Sequence, residues 1–223
     1  MTQTLHPRLP ARRTTARATT WWGRAWVRAV EESAYAAEDL AAGRRLARAG
    51  RVGGITVEEG GWFAAVEDEG GVFTVAGVLP PLDADARAAL VETVAAEAGR
   101  VAALLAGDLP HLLVEHAEEA GVELLPYGGE LGAACTCEAW ADPCRHALAV
   151  LYQLTWLVEA DPLVLLHVRG LPREELLARL HEHEAPAVGD GEVDVEAALD
   201  AALRATRLLE LLADPDSRVD HLL

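Results

Sequence analysis

Apolar and polar positions along this chain switch between two periods, and the switches mark out its elements. Over residues 21 to 35 apolar side chains fall at 22, 26, 27 and 30, the spacing of one helical face. Residues 36 to 49 continue as a second helix that Gly50 ends. Residues 52–58, 61–66 and 71–78 are short, partly alternating and β-branched, separated by Glu-Gly-Gly and Asp-Glu-Gly-Gly turns. That pattern predicts a three-stranded antiparallel meander. Pro80-Pro81 breaks the chain ahead of a long helix from Asp83 or Asp85 to Ala106, and residues 109–120 make another. Residues 122–125 and 133–137 are candidate strands beside a hydrophobic helix from about 143 to 157. Asp161-Pro162 restarts a short helix to about 168, and Leu171-Pro172 opens one to about 183. Gly189-Asp190-Gly191-Glu192 reads as a linker to a final amphipathic helix, 193–212, with apolar residues at 195, 198, 202, 205, 208 and 209. The expected fold class is α+β, mostly helical with a small antiparallel meander.

With 223 residues, 51% of them apolar, the chain is long enough for one globular unit with tails, and it holds no run of 18 uninterrupted apolar residues. A soluble, cytoplasmic protein without a membrane span is expected. Residues 1–18 are rich in Thr, Arg and Pro with too few apolar positions for a signal peptide, and read as a disordered basic arm. The domain plan is then arm 1–18, helical and meander region 19–128, residues 129–184 around and after the hydrophobic helix 143–157, and an acidic linker and helix 185–223. Trp21, Trp22 and Trp26 read as core anchors, with base stacking as the alternative.

Charge changes the picture. The net charge is −17, a balance that repels a polyanion unless basic residues are segregated. They are: residues 1–51 hold ten arginines against four acids and carry +6, leaving −23 for the remainder. All 19 basic residues are arginine, a profile that fits a G/C-rich coding sequence as well as phosphate chemistry. Arg44, Arg45, Arg48 and Arg51 are the candidate nucleic-acid contacts, against the alternative of a solvated helix face.

The candidate chemistry lies in the three cysteines, all within ten residues: Cys135-Thr136-Cys137, then Cys144-Arg145-His146. Three thiolates and an imidazole close a tetrahedron around Zn²⁺ with no open position, the composition of a structural site. Buried reduced cysteine is the alternative, and an odd number of cysteines argues against a disulfide framework. Asp142-Pro143 reads as N-cap and first helical residue, which places Cys144 and His146 in the first turn. There the helix N-terminus and Arg145 offset the site's negative charge. Trp140, the lone aromatic between the two ligand pairs, is expected to pack over the zinc knot against Leu148 or Leu151. An exposed Trp140 serving as a partner hot spot is the alternative. His181 and His183 read as a solvated helix end, not a second metal site. Without lysine there is no phosphate-binding glycine loop, and with serine only at 33 and 217 there is no serine elbow. A Cys144–His146 nucleophile pair gives way to zinc ligation, so no enzyme and no small-molecule substrate are expected.

Cys-x-Cys, a spacer holding Trp140 and Asp142-Pro143, Cys-x-His and the helix that follows resemble the SWIM zinc finger. Upstream, Trp21-Trp22-Gly23-Arg24-Ala25-Trp26 and the Gly43–Val52 segment resemble the N-terminal block of bacterial, chiefly actinobacterial, SWIM proteins. Where those members carry a basic, proline-containing segment, this chain has Val66-Glu67-Asp68-Glu69-Gly70-Gly71. The resemblance implies one structural zinc on Cys135, Cys137, Cys144 and His146, and a non-catalytic interaction module. Its implied partner is a protein, such as a Swi/Snf-type helicase-like ATPase, with DNA binding through the arginine-rich N-terminal face as the alternative.

Overall fold

The computed structural model describes residues 2–13 and 18–184. In chain order the elements are β1 (Thr4–His6), α1 (Trp21–Ser33), α2 (Ala37–Arg48), β2 (Val52–Glu58), β3 (Gly61–Asp68), β4 (Gly71–Val78), α3 (Ala84–Ala95), α4 (Ala98–Leu105) and α5 (His111–Glu119). A 3₁₀ turn at Gly128–Glu130 leads to β5 (Gly132–Cys135), α6 (Arg145–Ala160), α7 (Leu163–Val168) and α8 (Arg173–Glu184). The architecture is α+β, helices packed on one antiparallel sheet of order β1-β2-β3-β4-β5. The predicted linker and helix of 185–223 lie outside the described residues.

The meander follows the alternation. On β3, Trp62, Ala64 and Val66 point inward and are buried, while Phe63 and Ala65 face solvent. Trp62 pairs with Gly77 of β4, and a Cβ on Gly77 would lie 1.9 Å from the indole, so glycine is what lets the ring lie flat on the neighbouring backbone.

Behind the sheet runs α6, buried on nearly every side from His146 to Thr155, as expected of a helix apolar all round. Helix α2 approaches it closely enough that a Cβ on Gly43 would lie 2.7 Å from Leu148 Cβ. Gln153 Nε2 donates to Ala47 O on that helix at 2.9 Å. The tryptophans of α1 anchor it to the same core. Trp22 and Trp26 are buried, and the indole N–H groups of Trp22 and Trp21 donate to Val158 O and Leu109 O. Thr20 starts that helix, its hydroxyl accepting the Gly23 N–H at 3.0 Å.

Tertiary contacts redraw four expectations. Residues 4–6 of the predicted disordered arm form an edge strand on β2, with Thr4 opposite Val57 and His6 opposite Ile55. Arg8 beyond it donates to Gly50 O and Glu67. The expected single helix 83–106 is two helices, because Arg100 turns back into the core. Its guanidinium donates to Thr93 O, a last-turn carbonyl with no helical partner, and to Glu97. Residues 122–125 form no strand, since β5 takes the open edge of β4, with Cys135 opposite Val75. Helix α6 begins at Arg145 with Cys144 as its N-cap, two residues later than Asp142-Pro143 suggests.

Candidate metal centre

Four elements meet at one end of the sheet: the β3–β4 hairpin, the end of β5, the loop after it and the start of α6. Cys135 is the last residue of β5. Beyond it the ladder continues through Thr136, whose N–H donates to Thr74 O at 3.0 Å and whose hydroxyl accepts the Thr74 N–H at 3.0 Å. These bonds hold the knuckle that carries Cys137. Cys144 stays extended, off the helix, and His146 sits at the second helical position. With one donor off the helix and one on it, two residues separated by about 200° of ideal helical rotation converge on a single point.

The donor atoms of Cys135, Cys137, Cys144 and His146 all lie within 4.8 Å of one another. Cys137 Sγ and Cys144 Sγ are 3.4 Å apart, and His146 Nδ1 is 3.7 Å from Cys135 Sγ and 4.0 Å from Cys144 Sγ. Tetrahedral zinc, with bonds of roughly 2.3 Å to sulfur and 2.0 Å to nitrogen, sets its donors about 3.5–3.8 Å apart. The site therefore has the size and the donor chemistry of one structural Zn²⁺.

Electrostatics point the same way. Burial pushes the Cys135 thiol up to about 12, with the neighbouring Cys137 and Cys144 sulfurs adding to the rise. Burial also raises the Cys144 thiol, against the backbone N–H groups of Ala147 and His146. At Cys137 burial is outweighed by the Ala139 N–H and the two neighbouring thiols, and the pKa is lowered. Three thiols this close resist sharing more than one negative charge, and a divalent cation among them removes that resistance.

Asp68, unassigned in the sequence reading, completes the centre. His146 Nε2 lies 3.0 Å from Asp68 Oδ2, so the carboxylate accepts the Nε2–H and fixes the tautomer that turns bare Nδ1 toward the sulfurs. Arg145 Nε donates to the same oxygen at 2.9 Å. Desolvation works against the Asp68 carboxylate, but the Glu69 N–H, His146 and Arg145 outweigh it and lower its pKa. Phe73 stacks on the imidazole at 4.3 Å and 13°. The signal for Asp68 lay in the alternation: Trp62, Ala64 and Val66 point inward, so position 68 does too. Ending the strand at residue 66 hid it. Asp68→Asn should weaken zinc retention on the order of 10–100-fold against a competing chelator, with the far-ultraviolet circular dichroism unchanged. Unaltered affinity would show that the carboxylate does not orient His146.

Of the other expected supporting residues, Arg145 reaches the centre only through Asp68. Asp142 is exposed and caps nothing, because Cys144 takes the N-cap. Trp140 does not pack over the knot. It is 79% exposed and meets Tyr35, itself 74% exposed, edge-on at 4.8 Å. Leu148 and Leu151 are already fully buried against other elements and leave it no seat.

The candidate nucleic-acid contacts divide. Arg44 pairs with Glu31, and Arg51 lies 3.5 Å from Glu67. Arg45 and Arg48 join Arg44 around a cleft between α1, α2 and α6. Two of the three acids at residues 66–71 are thus spent within the fold, Glu67 on Arg8 and Arg51, Asp68 on His146 and Arg145, while Glu69 is exposed.

A closed set of three thiols and an imidazole, two from a strand end and two from a helix start, defines a structural zinc finger. Residues 120–154 match the family model of the SWIM zinc finger, and the chain carries that module. It is also similar to Uncharacterized protein Rv2102 of Mycobacterium tuberculosis, 32% identical over 176 residues that cover 78% of this chain and 62% of the relative. No solved structure matches. SWIM is a binding-module family, and no enzyme family is indicated. Among the described residues no helix is long and apolar enough to cross a membrane.

Proposed function

We propose that this chain is a cytoplasmic, non-catalytic adaptor in which Zn²⁺, held by Cys135, Cys137, Cys144 and His146, stiffens a knuckle that presents Trp140 to a protein partner. The observation that carries the reading is the exposed Trp140–Tyr35 pair. Trp140, on a loop anchored by metal ligands at both ends, meets Tyr35 of the α1–α2 connection edge-on, and the two rings supply rigid apolar area at little conformational cost. A Swi/Snf-type helicase-like ATPase is the partner that the family resemblance favours. DNA contact through Arg44, Arg45, Arg48 and Arg51 has weaker support, because Arg44 and Arg51 are already engaged by Glu31 and Glu67.

Trp140→Ala should leave zinc content and melting temperature at wild-type values, since the ring buries little. It should weaken binding to such an ATPase by 2 kcal/mol or more, about thirtyfold in Kd, the scale of an aromatic hot spot. Calorimetric titration of the two purified proteins measures it. A variant that bound equally well would assign the interface elsewhere, and one that lost zinc would return Trp140 to a packing role.

A further inference from the structure

On the far half of α6 from His146, helices α1, α2 and α6 enclose a cleft of about 820 Å³, within the size range of small-ligand sites. Its walls carry Arg24 and Arg28, one turn apart on α1, and Arg44, Arg45 and Arg48 on α2. The acid lining it is Glu31, which Arg44 already engages. Five guanidinium groups and one carboxylate face a single space in a chain whose net charge is −17. Such like charges repel unless an anion sits among them. Among the described residues Arg28 and Arg45 make no ion pair, so their donors are free for a ligand.

The floor adds an independent observation. Tyr152 is 6% exposed; the Arg44 guanidinium lies over its ring at 5.2 Å, but its hydroxyl makes no hydrogen bond of acceptable geometry to any described residue. Arg48 Nε, also in the lining, is buried and unpartnered. A buried donor without a partner is costly, and two in one cleft mark where a ligand's acceptors belong. Planar guanidinium forks match phosphoryl oxygens in pairs, and a phenol O–H donates a further bond.

We propose that this cleft binds an oligophosphate, a run of consecutive phosphoryl groups of the kind carried by a nucleoside triphosphate or an inorganic polyphosphate. Arginines on two helices and the donors of the floor suit several phosphoryl groups in a row, which also bring several negative charges to a space with four in excess of the other sign. The site needs neither a glycine loop nor a lysine, because arginine side chains replace backbone amides as the donors. The proposal is separate from the zinc knuckle, which lies at the other end of α6.

Calorimetric titration of the full-length, zinc-loaded protein with ATP and with tripolyphosphate, at low ionic strength, tests it. Binding of one or both is expected, weakening as salt rises. Similar affinities would mean that the phosphates alone are recognised, and tighter binding of ATP that Tyr152 and Trp156 also engage the nucleoside. Arg28→Ala with Arg45→Ala should reduce affinity by about tenfold or more, as expected for lost charge-assisted bonds. Tyr152→Phe, which removes one oxygen and keeps the ring, should reduce it severalfold at an unchanged melting temperature. Arg179→Ala, on α8, should change nothing. The proposal is overturned if neither probe binds, if the cleft variants bind as wild type does, or if a single-stranded oligonucleotide binds while both short probes do not.

Discussion

Cys137→Ser and His146→Ala should each strip the protein of its zinc and unfold the zinc finger with it. Wild-type protein purified without chelator is expected to hold one zinc per chain by metal analysis, and each variant close to none. The size of the effect follows from what the metal holds. A structural Zn²⁺ contributes on the order of 10–16 kcal/mol in isolated finger peptides. Here four side chains from three places in the chain, the end of β5, the following knuckle and the start of α6, have no other tie of comparable strength. Without the ion, one buried and two half-buried thiols and an imidazole converge on a space with nothing to coordinate, and on the loop between Cys137 and Cys144 Trp140 offers only its edge contact with the exposed Tyr35. The loss should reach α6, the central helix, so the whole domain should melt at lower temperature. Well under one equivalent of zinc in the wild-type protein would refute the site outright.

Arg169→Ala should destabilise the fold by about 3–5 kcal/mol without touching the zinc ligands. Arg169 is 2% exposed and uses four of its five N–H donors: Nε donates to Leu124 O at 3.0 Å, one terminal nitrogen donates to Pro80 O and Glu130 Oε1, and the other to Glu130 Oε2 at 2.9 Å. These bonds tie the end of α7 to the segment after β4 and to the turn that enters β5. Truncation leaves the Glu130 carboxylate without its counter-charge and two carbonyls without a donor, which costs more than the pair itself contributes. Arg169→Lys should recover only part of the loss, because one ammonium cannot reproduce the two-pronged contact with Glu130. Denaturant unfolding reads both variants, and a change below about 1 kcal/mol for the alanine variant would show that water replaces the lost bonds.

Much of the fold was legible because its signals are local. The spacing of Trp22, Trp26 and Val30, the Gly-Gly turns between alternating strands, and Pro162 and Pro172 at helix starts act on neighbouring residues only, and α1, α2, β2, β4, α7 and α8 stand close to where those signals put them. Local signals mislead where a distant group competes with a local one. Within residues 83–106 only Gly99 hints at a break, and the break itself depends on Arg100 finding Thr93 O, Glu97 and His116. Nothing in Thr4–His6 announces a strand, since it exists by pairing with β2.

The same division runs through the function. Ligand identity was decided by the sequence itself, because three cysteines and a histidine within twelve residues leave zinc few other donors, and short-range connectivity keeps them together in any compact fold. What surrounds those ligands was decided by tertiary structure alone. Asp68 reaches His146 across 78 residues, and Trp140 is left outside because Leu148 and Leu151 had already filled the core. Arg28 and Arg45 face one cleft only because α6 draws α1 and α2 together. A spacing can specify which atoms meet an ion, because the chain between them is too short to do otherwise. Which charges and rings meet across a domain depends on how whole elements pack, and no short stretch of residues carries that information.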